Sequence, residues 1–396
     1  MSDDWQDWYR NQNRSGSEYQ PTETYRSAGE SGYGGAGNAA TDRAGAWPSQ
    51  PPARSIPGES EPEHWNGSGG GRRWRFWGQP GRRGRRIALI IGTVVVVLIA
   101  GVFGTYFWLN GKLNRSVTLP ATTLTSAGTN WLITGSDSRS GLTDQEIRQL
   151  HVGFDSGTLN SDSIMLLHTG SGRPVLISIP RDSYVDIPGH GWNKINASLA
   201  FGGASLLVKT VESVTGLKID HYMGIGFGGL VSVVNQIGGV QICLKTAIKD
   251  SYSGVNLSAG CHNLNGDQAL AFVRDRHSFA TEDLQRIQDQ RVFLSALLNK
   301  ATSPGVYLNP FTALPFGSTA ASSMSVDTGT SLLDLVHAAS ALRSPQTGTV
   351  PIADDNYSTS AGDAVLWNKA KATELFNALK NDAAIPTGVL SGTTVG

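Results

Sequence analysis

The chain has 396 residues, of which 32 are Lys or Arg and 32 are Asp or Glu, so its formal net charge is zero. Its eight histidines show no HExxH spacing, and it contains neither a GxSxG elbow nor a P-loop. These patterns disfavour zinc hydrolysis, serine esterase chemistry and nucleoside triphosphate hydrolysis.

The first 86 residues differ in composition from the rest of the chain. They are rich in Gly, Ser, Pro, Arg and Glu, with runs such as SGYGGAGN and WPSQPPAR. A segment with so few periodic apolar residues does not offset the conformational entropy that folding costs. We predict that residues 1–86 form a disordered tail.

Residues 87–109, IALIIGTVVVVLIAGVFGTYFWL, are 23 consecutive residues without a charge. At about 1.5 Å per residue they form a helix of roughly 35 Å, enough to cross a hydrocarbon core of about 30 Å. A cleaved signal peptide, the alternative, has a shorter apolar region that lies close to the N-terminus. We predict an uncleaved transmembrane helix over 87–109.

The charged flanks of this helix predict its orientation. Seven arginines lie between residues 72 and 86, whereas only Lys112 and Arg115 follow closely. Because positive charge stays in the cytoplasm, we expect a single-pass cell-membrane protein with a cytoplasmic tail and an extracytoplasmic domain. Residues 110–396 carry 20 Lys and Arg against 22 Asp and Glu, so this part has no basic surface for nucleic acid.

The two cysteines, Cys243 and Cys261, both lie in the part predicted to be outside the cell. Two cysteines in an oxidising compartment most simply form one disulfide. Such a bond would contribute about 3 kcal/mol in the chain-entropy model. A metal site is the alternative, but the pair lacks CxxC spacing.

The outer part alternates apolar runs with longer amphipathic segments, which predicts an α/β fold. We expect a linker over 110–124, one domain over 125–384 and a short tail over 385–396. The predicted strands are NWLITGS, SIMLLHT, PVLISIP, HYMGIGF, GGVQICL and ALAFVRDR. The predicted helices are SLLVKTVESVTG, FGGLVSVVNQIGG, LQRIQDQRVFLSALLNKA, LLDLVHAASAL and LWNKAKATELFNALKND.

Three arginines and a glutamine are spaced as an anion site requires. If FVRDRH is a strand, its period of two places Arg274 and Arg276 on one face. In the following helix Arg286 and Gln290 are four residues apart and also share a face. Both pairs can meet where the strand ends, and guanidinium groups suit a phosphate there. For any single arginine, a surface ion pair is the alternative.

Two more cations follow the run PVLISI. Arg181 comes directly after the proline that ends this strand, and Lys194 lies on the next loop. The alternative is a local ion pair between Arg181 and Asp182.

Carboxylates lie at the ends of two further predicted strands. Asp137 and Arg139 follow NWLITGS, and Asp162 precedes SIMLLH. Two carboxylates without a dense ligand cage suit Mg²⁺, or Mn²⁺ in its place, with waters and phosphate oxygens as the other ligands. The alternative is that these residues only form turns.

A series of motifs, in order over residues 125–384, resembles the LytR-CpsA-Psr proteins of bacterial cell envelopes. They include GSDSR, SDSIMLLH, SIPRDSYVDIPGHG, KIN, GGVQICL, DSYSGVNLSAGCHNLNGDQALAFVRDRH and EDLQRIQDQRVFLSALL. The cysteine pair is similar to that of actinobacterial members. The resemblance implies a central mixed sheet with helices on both faces. It also implies a phosphotransferase that moves a glycopolymer phosphate from a polyprenyl pyrophosphate carrier to a muramyl hydroxyl of peptidoglycan.

The resemblance also implies roles for single residues. Five match pyrophosphate-binding positions: Arg181, Arg274, Arg276, Arg286 and Gln290. Lys194 matches through KIN, and Asp137 and Asp162 match acids linked to Mg²⁺; of all these, the residues expected in catalysis are Asp137, Asp162, Arg181 and Arg276. Many members have Arg-Ser-Asp-Thr where this chain has Asn-Ser-Asp-Ser at 160–163, and Arg139 is the cation expected to compensate.

The lipid tail is expected in an apolar tunnel, for which the helices from Leu206 and Leu230 are candidate linings, with core packing as the alternative. Asp137 or Asp283 could accept the hydroxyl proton. A lipid pyrophosphatase and a non-catalytic wall-polymer-binding protein remain alternative functions.

Overall fold

The computed structural model describes residues 82–139, 142–149, 161–275 and 282–390. The predicted disordered tail lies outside these ranges except for residues 82–86, which begin the first helix. From Leu89 onward the chain forms one unit by its internal contacts.

The helices and strands follow one another in a mixed order. The first half contains α1 Arg82–Asn110, β1 Asn114–Val117, β2 Thr129–Ser136, α2 Asp144–Gln149, β3 Ser161–Thr169, β4 Val175–Ile179, β5 Tyr184–Ile187, β6 Gly191–Lys194, α3 Ala197–Thr215, β7 His221–Ile225, α4 Phe227–Gln236 and β8 Val240–Leu244. The second half contains β9 Ile248–Asp250, β10 Val255–Leu257, β11 Gly260–Leu264, α5 Gly266–Val273, α6 Glu282–Ala301, α7 Pro304–Tyr307, α8 Pro310–Ser323, β12 Met324–Asp327, α9 Leu332–Ala341, β13 Gln346–Thr349, β14 Ile352–Thr359, β15 Gly362–Trp367 and α10 Lys369–Lys380.

Seven strands form the central sheet, in the order β1-β12-β7-β2-β3-β4-β13. The sheet is mixed, because β2 is parallel to β7 and antiparallel to β3, and β3 is antiparallel to β4. The C-terminal ends of β2, β4 and β7 therefore lie at one edge, which we call the site edge. The predicted mixed sheet with helices on both faces is confirmed.

Successive residues of the central strands face opposite sides of the sheet. One side carries Leu132, Leu166 and Ile177, which are fully buried in a core with α3 and α10. The other side carries Trp131, Met165 and Leu176, which pack with apolar residues of α6 and α9. The sheet therefore separates two apolar layers.

A buried arginine holds α6 on the second face. Arg291 donates from Nε to Ser178 Oγ at 3.1 Å and from Nη2 to Thr349 Oγ1 at 2.9 Å, and it also contacts the carbonyl of Gly348. Burial lowers its pKa to about 10, so the guanidinium stays charged at neutral pH. These bonds fix α6 over β4 and β13.

Smaller antiparallel pairs surround the central sheet: β5 with β6, β8 with β11, β9 with β10, and β14 with β15. Cys243 and Cys261 lie opposite each other on β8 and β11 and form a disulfide. The predicted pairing is therefore present in the structure.

Two predicted elements differ from the structure. The strand prediction for ALAFVRDR is wrong, because α5 covers Gly266–Val273. The helix starts at a capping box, in which Asn265 Oδ1 accepts from Gln268 N at 2.9 Å and Gln268 Oε1 accepts from Asn265 N at 3.2 Å. In the range predicted as a linker, 110–124, residues Asn114–Val117 form β1, which pairs with β12 at the edge of the sheet.

Candidate functional site

A cavity of about 1180 Å³ lies on the face of the sheet that carries Met165. Its floor includes Ile133, Met165 and Met223 from β2, β3 and β7. The residues from the helices around it are mainly apolar, among them Leu230, Phe293, Leu297, Phe316, Leu335 and Val336. A space of this size and lining can hold a long apolar chain.

Polar residues gather where the cavity reaches the site edge. Asp137, Arg139, Arg181, Arg274 and Gln290 all line it. Asp137 follows β2 and Arg181 follows β4, so both belong to the C-terminal ends of strands. The cavity thus combines an apolar body with a charged end.

The loop that carries Asp137 and Arg139 is held against the start of α4. The carbonyl of Ser138 accepts a hydrogen bond from Phe227 N at 2.9 Å. A Cβ added to Gly226 would lie 2.8 Å from that same carbonyl oxygen. A glycine is therefore needed at 226 for the two segments to approach, and this approach fixes the position of Asp137.

Arg181 is oriented by its neighbour Asp182. Its Nε donates to Asp182 Oδ2 at 3.2 Å, so the local pair considered from the sequence exists. Lys194 Nζ lies 3.2 Å from the other carboxylate oxygen of Asp182. Arg181 also lines the cavity, whereas Lys194 is not among the described residues that do. Lys194 and Arg181 therefore share one carboxylate.

Arg274 and Gln290 come from two helices that meet at the cavity. The guanidinium carbon of Arg274 lies 5.3 Å from the centroid of the Phe227 ring, a cation–π distance. Gln290 Nε2 donates to the carbonyl of Val273 at 3.3 Å. Arg274 thus reaches the site from the end of a helix, so the predicted alternation along a strand is wrong.

Four predicted site residues have no described side chain. Asp283, the second candidate proton acceptor, is known only by its backbone near the start of α6. Arg276 lies outside the described residues altogether. Arg286 is known only by its backbone, one turn before Gln290 in α6. Asp162 is known only by its backbone in β3, where the preceding Ser161 pairs with Ser136, so its Cα lies near the point where β2 continues to Asp137.

The described side chains include no group of three or more His, Cys, Asp or Glu that could hold a metal ion. A two-carboxylate site is of a different kind, because Mg²⁺ keeps several waters and accepts phosphate oxygens as further ligands. The carboxylate of Asp137, with Asp162 on the neighbouring strand, has the oxygen chemistry that such an ion needs.

The sequence-based site did not include the segment between β9 and β10. Asp250, Tyr252 and Ser253 line the cavity, and Asp250 and Ser253 are 4% and 3% exposed. Asp250 Oδ1 accepts from Tyr252 N at 2.8 Å, which shapes the turn. The motif that could have pointed to them is DSYSGV at 250–255.

The two helices expected to line a lipid tunnel have different positions. Leu230 of α4 lines the cavity. Leu206 of α3 packs against the core on the opposite face of the sheet, so the expectation for that helix is wrong and the core-packing alternative holds. The helices that complete the wall instead include α6, α8 and α9.

Comparisons with known proteins agree with this architecture. Residues 111–381 match the model of the LytR_cpsA_psr family. The chain is 44% identical over 314 residues to the probable cell wall biosynthesis protein LcpB of Corynebacterium glutamicum, covering 76% of this chain and 75% of that protein. It is 41% identical over 134 residues to a polyisoprenyl-teichoic acid–peptidoglycan teichoic acid transferase of Bacillus subtilis, TagT, covering 32% of this chain and 41% of that one.

Solved structures have a similar fold. TagT bound to LI-WTA superposes with a TM-score of 0.51 at 27% identity, over 67% of this chain and 98% of that chain. A LytR-Csp2A-Psr enzyme from Actinomyces oris superposes with a TM-score of 0.54 at 21% identity, over 68% and 96%.

Proposed function

Because the chain belongs to the LytR_cpsA_psr family, we propose that it transfers a glycopolymer phosphate from a polyprenyl pyrophosphate carrier to peptidoglycan. The observation that carries this proposal is one cavity of about 1180 Å³ with an apolar body and cationic residues at the site edge. A polyprenyl pyrophosphate has the same division into an apolar tail and an anionic head. The similarity to a probable cell wall biosynthesis protein and to a teichoic acid transferase supports the same activity.

We infer that the tail is held by burial and the head by charge. Each Å² of apolar surface removed from water stabilises the complex by about 25 cal/mol, and the wall offers such surface along α4, α6, α8 and α9. Arg181 and Arg274 would bind the pyrophosphate oxygens in the two-pronged manner that guanidinium groups favour. Asp182 and Lys194 would keep Arg181 aimed at the head group.

The transfer itself is a substitution at phosphorus. A muramyl hydroxyl oxygen attacks the phosphorus that bears the glycan, a new P–O bond forms, and the bond to the bridging oxygen breaks, which releases polyprenyl phosphate. The hydroxyl proton passes to a carboxylate, and Asp137 is the candidate with a described side chain in the cavity. The arginines stabilise the charge of the transition state, and this positioning supplies most of the catalysis in phosphoryl transfer.

We propose Mg²⁺, or Mn²⁺ in its place, as the cofactor, with Asp137 and Asp162 as the residues that would hold it. When bound, such an ion supplies charge neutralisation at phosphate oxygens. Asp162 lies in the segment 160–163, in which many family members have an arginine at the position of Asn160. Arg139, which lines the cavity, is the cation that we propose in its place.

We propose that α1 anchors the protein in the cell membrane with the cavity on the outer side. Among the described residues, Gly84–Asn110 is long and apolar enough to cross a membrane. The arginines that precede it favour a cytoplasmic N-terminus. This placement gives the cavity access to lipid-linked glycans and to peptidoglycan.

The direct test is a transfer assay with the full chain, a lipid pyrophosphate-linked glycan, Mg²⁺ and peptidoglycan. We expect release of polyprenyl phosphate together with glycan joined to peptidoglycan. Arg181→Ala should lower the rate by about 10²–10³, as loss of one charge-stabilising group does. Arg173→Ala is the matched control, because Arg173 is exposed and donates hydrogen bonds to the carbonyls of Ser344 and Pro345.

The alternatives give different products in the same assay. A lipid pyrophosphatase would release phosphate-containing products without joining glycan to peptidoglycan. A wall-polymer-binding protein would bind without any release. Full turnover by Arg181→Ala would contradict the assigned role of that residue.

A further inference from the structure

The segment that contains α7 and α8 has an unusual surface. Residues 301–326 are 26 consecutive residues without a charged side chain. Within them Leu308, Phe311 and Leu314 are 69%, 88% and 39% exposed. A folded domain in water keeps such contiguous apolar surface small unless something covers it.

This segment lies against the end of α1. A Cβ added to Gly317 in α8 would lie 3.3 Å from Leu109 Cδ1, so the two helices are in contact there. Leu113, just after α1, shares a small core with Ala321 of α8. The end of α1 and the middle of α8 are therefore packed together.

Hydrogen bonds also tie the end of α1 to the start of α9. Asn110 Oδ1 accepts from Leu332 N at 2.9 Å, and Arg115 Nη1 donates to the carbonyl of Asn110 at 2.9 Å. Arg115 Nε donates to the carbonyl of Thr330 at 3.0 Å. These bonds hold the end of α1 against the domain. The orientation of α1 in a membrane would therefore also set the orientation of the domain surface next to it.

The residues at the end of α1 mark where a bilayer would stop. The apolar run ends at Leu109, and Trp108 beside it is the kind of side chain enriched at membrane interfaces. Lys112 Nζ, the next cation, lies 5.8 Å from the Trp108 ring. Because Gly317 contacts Leu109, the middle of α8 lies at the same depth relative to the bilayer surface as the end of α1. Phe311 lies six residues before Gly317 in this helix, so the two residues are about 9 Å apart along the helix axis.

The start of α9 adds two more exposed apolar side chains. Leu333 and Val336 are 54% and 55% exposed, and they follow directly on Leu332, whose backbone is bonded to Asn110. Val336 also lines the cavity, as do Leu109 and Phe316. Apolar cavity wall and apolar outer surface therefore meet beside the end of α1.

We propose that this surface lies in the outer leaflet of the membrane and that the cavity receives its lipid there. We call it the membrane face, and it consists of Leu308, Phe311, Leu314, Leu333 and Val336. The inference rests on the proposed membrane-spanning role of α1, because the end of α1 marks where the bilayer surface would lie. It adds a second membrane contact, through which the carrier's tail enters the cavity without crossing water.

The lack of charge favours a bilayer over a second copy of the chain or another protein as the occupant. Partners are usually selected by a polar and charged rim, whereas 301–326 carries no charge at all. Exposed Phe and Leu side chains on a surface helix are the kind that enter the boundary between head groups and acyl chains.

The test uses the full chain reconstituted in vesicles of phosphatidylglycerol and phosphatidylcholine. The chain's only two cysteines are bonded to each other, so a single new cysteine can be labelled with an environment-sensitive fluorophore. Labels are placed at Phe311→Cys on the membrane face, at Val96→Cys inside α1 and at Phe201→Cys. Phe201 is the matched control, because it is an aromatic residue of α3 that is 48% exposed and stacks on His190. The helix α3 packs on the face of the sheet opposite to the cavity.

We expect the Phe311 label to shift its emission to shorter wavelength, to be quenched by spin-labelled lipid and to resist aqueous iodide. The Phe201 label should show the reverse. A Phe311 label quenched by iodide but not by lipid, with the Val96 label still quenched by lipid, would overturn the membrane face and leave the anchor intact. A Phe311 label protected from both quenchers would indicate a protein partner and also overturn it. If iodide also reached Val96, the anchor itself would fail.

Discussion

The two faces of the central sheet are built from the same strands but differ in what covers them. On one face Leu132, Leu166 and Ile177 are 0% exposed, in continuous contact with α3 and α10. On the other face Ile133 and Met165 line a cavity of about 1180 Å³. The strands alone do not decide which face is filled. The helices opposite decide it, because α6, α8 and α9 leave a space where α3 and α10 do not.

The face that borders the cavity has fewer apolar contacts, so polar and aromatic contacts help to hold its helices to the sheet. On this side Arg291 bonds α6 to Ser178 and Thr349, and the rings of Trp131 and His221 stack with centroids 4.3 Å apart. The Nδ1 atom of His221 in turn lies 3.5 Å from Asp327 Oδ1. Directional bonds and stacking at the borders of the cavity thus replace part of the apolar contact that holds the filled face.

The largest expected difference concerns side-chain deletion on the two faces. Leu132→Ala should lower the free energy of unfolding by about 2–5 kcal/mol, because it creates a new cavity in a filled core. Met165→Ala should cost about 1.5 kcal/mol, since it widens a space that already exists and loses mainly the transfer term. Urea titration of the two variants, followed by circular dichroism, measures both. Equal losses would mean that the Met165 face is as tightly filled as the other.

Enlarging a side chain should also affect the free energy of unfolding differently on the two faces. Ala372, 5% exposed in the α10 layer, has no room for a larger side chain, so Ala372→Leu should cost about 1–3 kcal/mol by overpacking. Ala339 of α9 lines the cavity, so Ala339→Leu should change the free energy of unfolding by less than about 0.5 kcal/mol. Thermal unfolding of the pair gives the comparison. A loss at Ala339 as large as that at Ala372 would contradict an open space beside α9.

The smallest expected effect concerns the polar tie at Asp327. Burial alone would raise the pKa of this carboxyl, but hydrogen bonds from His221, Thr330 and the Tyr222 amide lower the pKa below the usual range of an aspartate. Ionised Asp327 therefore stabilises the fold above the ordinary pKa of an aspartate, and this contribution is lost as the pH falls through the lowered pKa. Asp327→Asn should cost about 1 kcal/mol at neutral pH.

The same variant should flatten the acid limb of the stability curve. Unfolding measured from neutral pH down to the acid range tests this directly. An acid limb in Asp327→Asn as steep as in the unchanged chain would assign the acid sensitivity to other carboxyls.

Much of the sheet could be predicted because its central strands are short apolar runs bounded by turn residues. The runs that became β2, β3, β4 and β7 follow this pattern. The helix α5 was mistaken for a strand, since an apolar run of that length fits either structure. Its capping box, Asn265 with Gln268 three residues later, was the available signal. The strand β1 is only four residues long and largely polar, so periodicity could not identify it.

The site was predicted in part for a similar reason. Asp137, Arg181 and Gln290 follow strand ends or helix spacing, and all three line the cavity. Asp250 and Ser253 come from a turn between two short strands, so strand or helix spacing does not relate them to the site edge, and only the motif DSYSGV could have pointed to them. The contact between α8 and α1 is likewise non-local, because Gly317 and Leu109 are distant in the sequence and meet only through the fold.

The most direct test of the central claim is mass spectrometry of the lipid that copurifies with the full chain in mild detergent. If the cavity holds the carrier, a polyprenyl pyrophosphate, free or glycan-linked, is bound to the unchanged chain and to Arg173→Ala. That lipid should be lost from Ala339→Phe, because the added ring would occupy the space of the lipid tail. Absence of any such lipid from the unchanged chain, or equal retention by Ala339→Phe, would contradict the assignment of the cavity to the carrier.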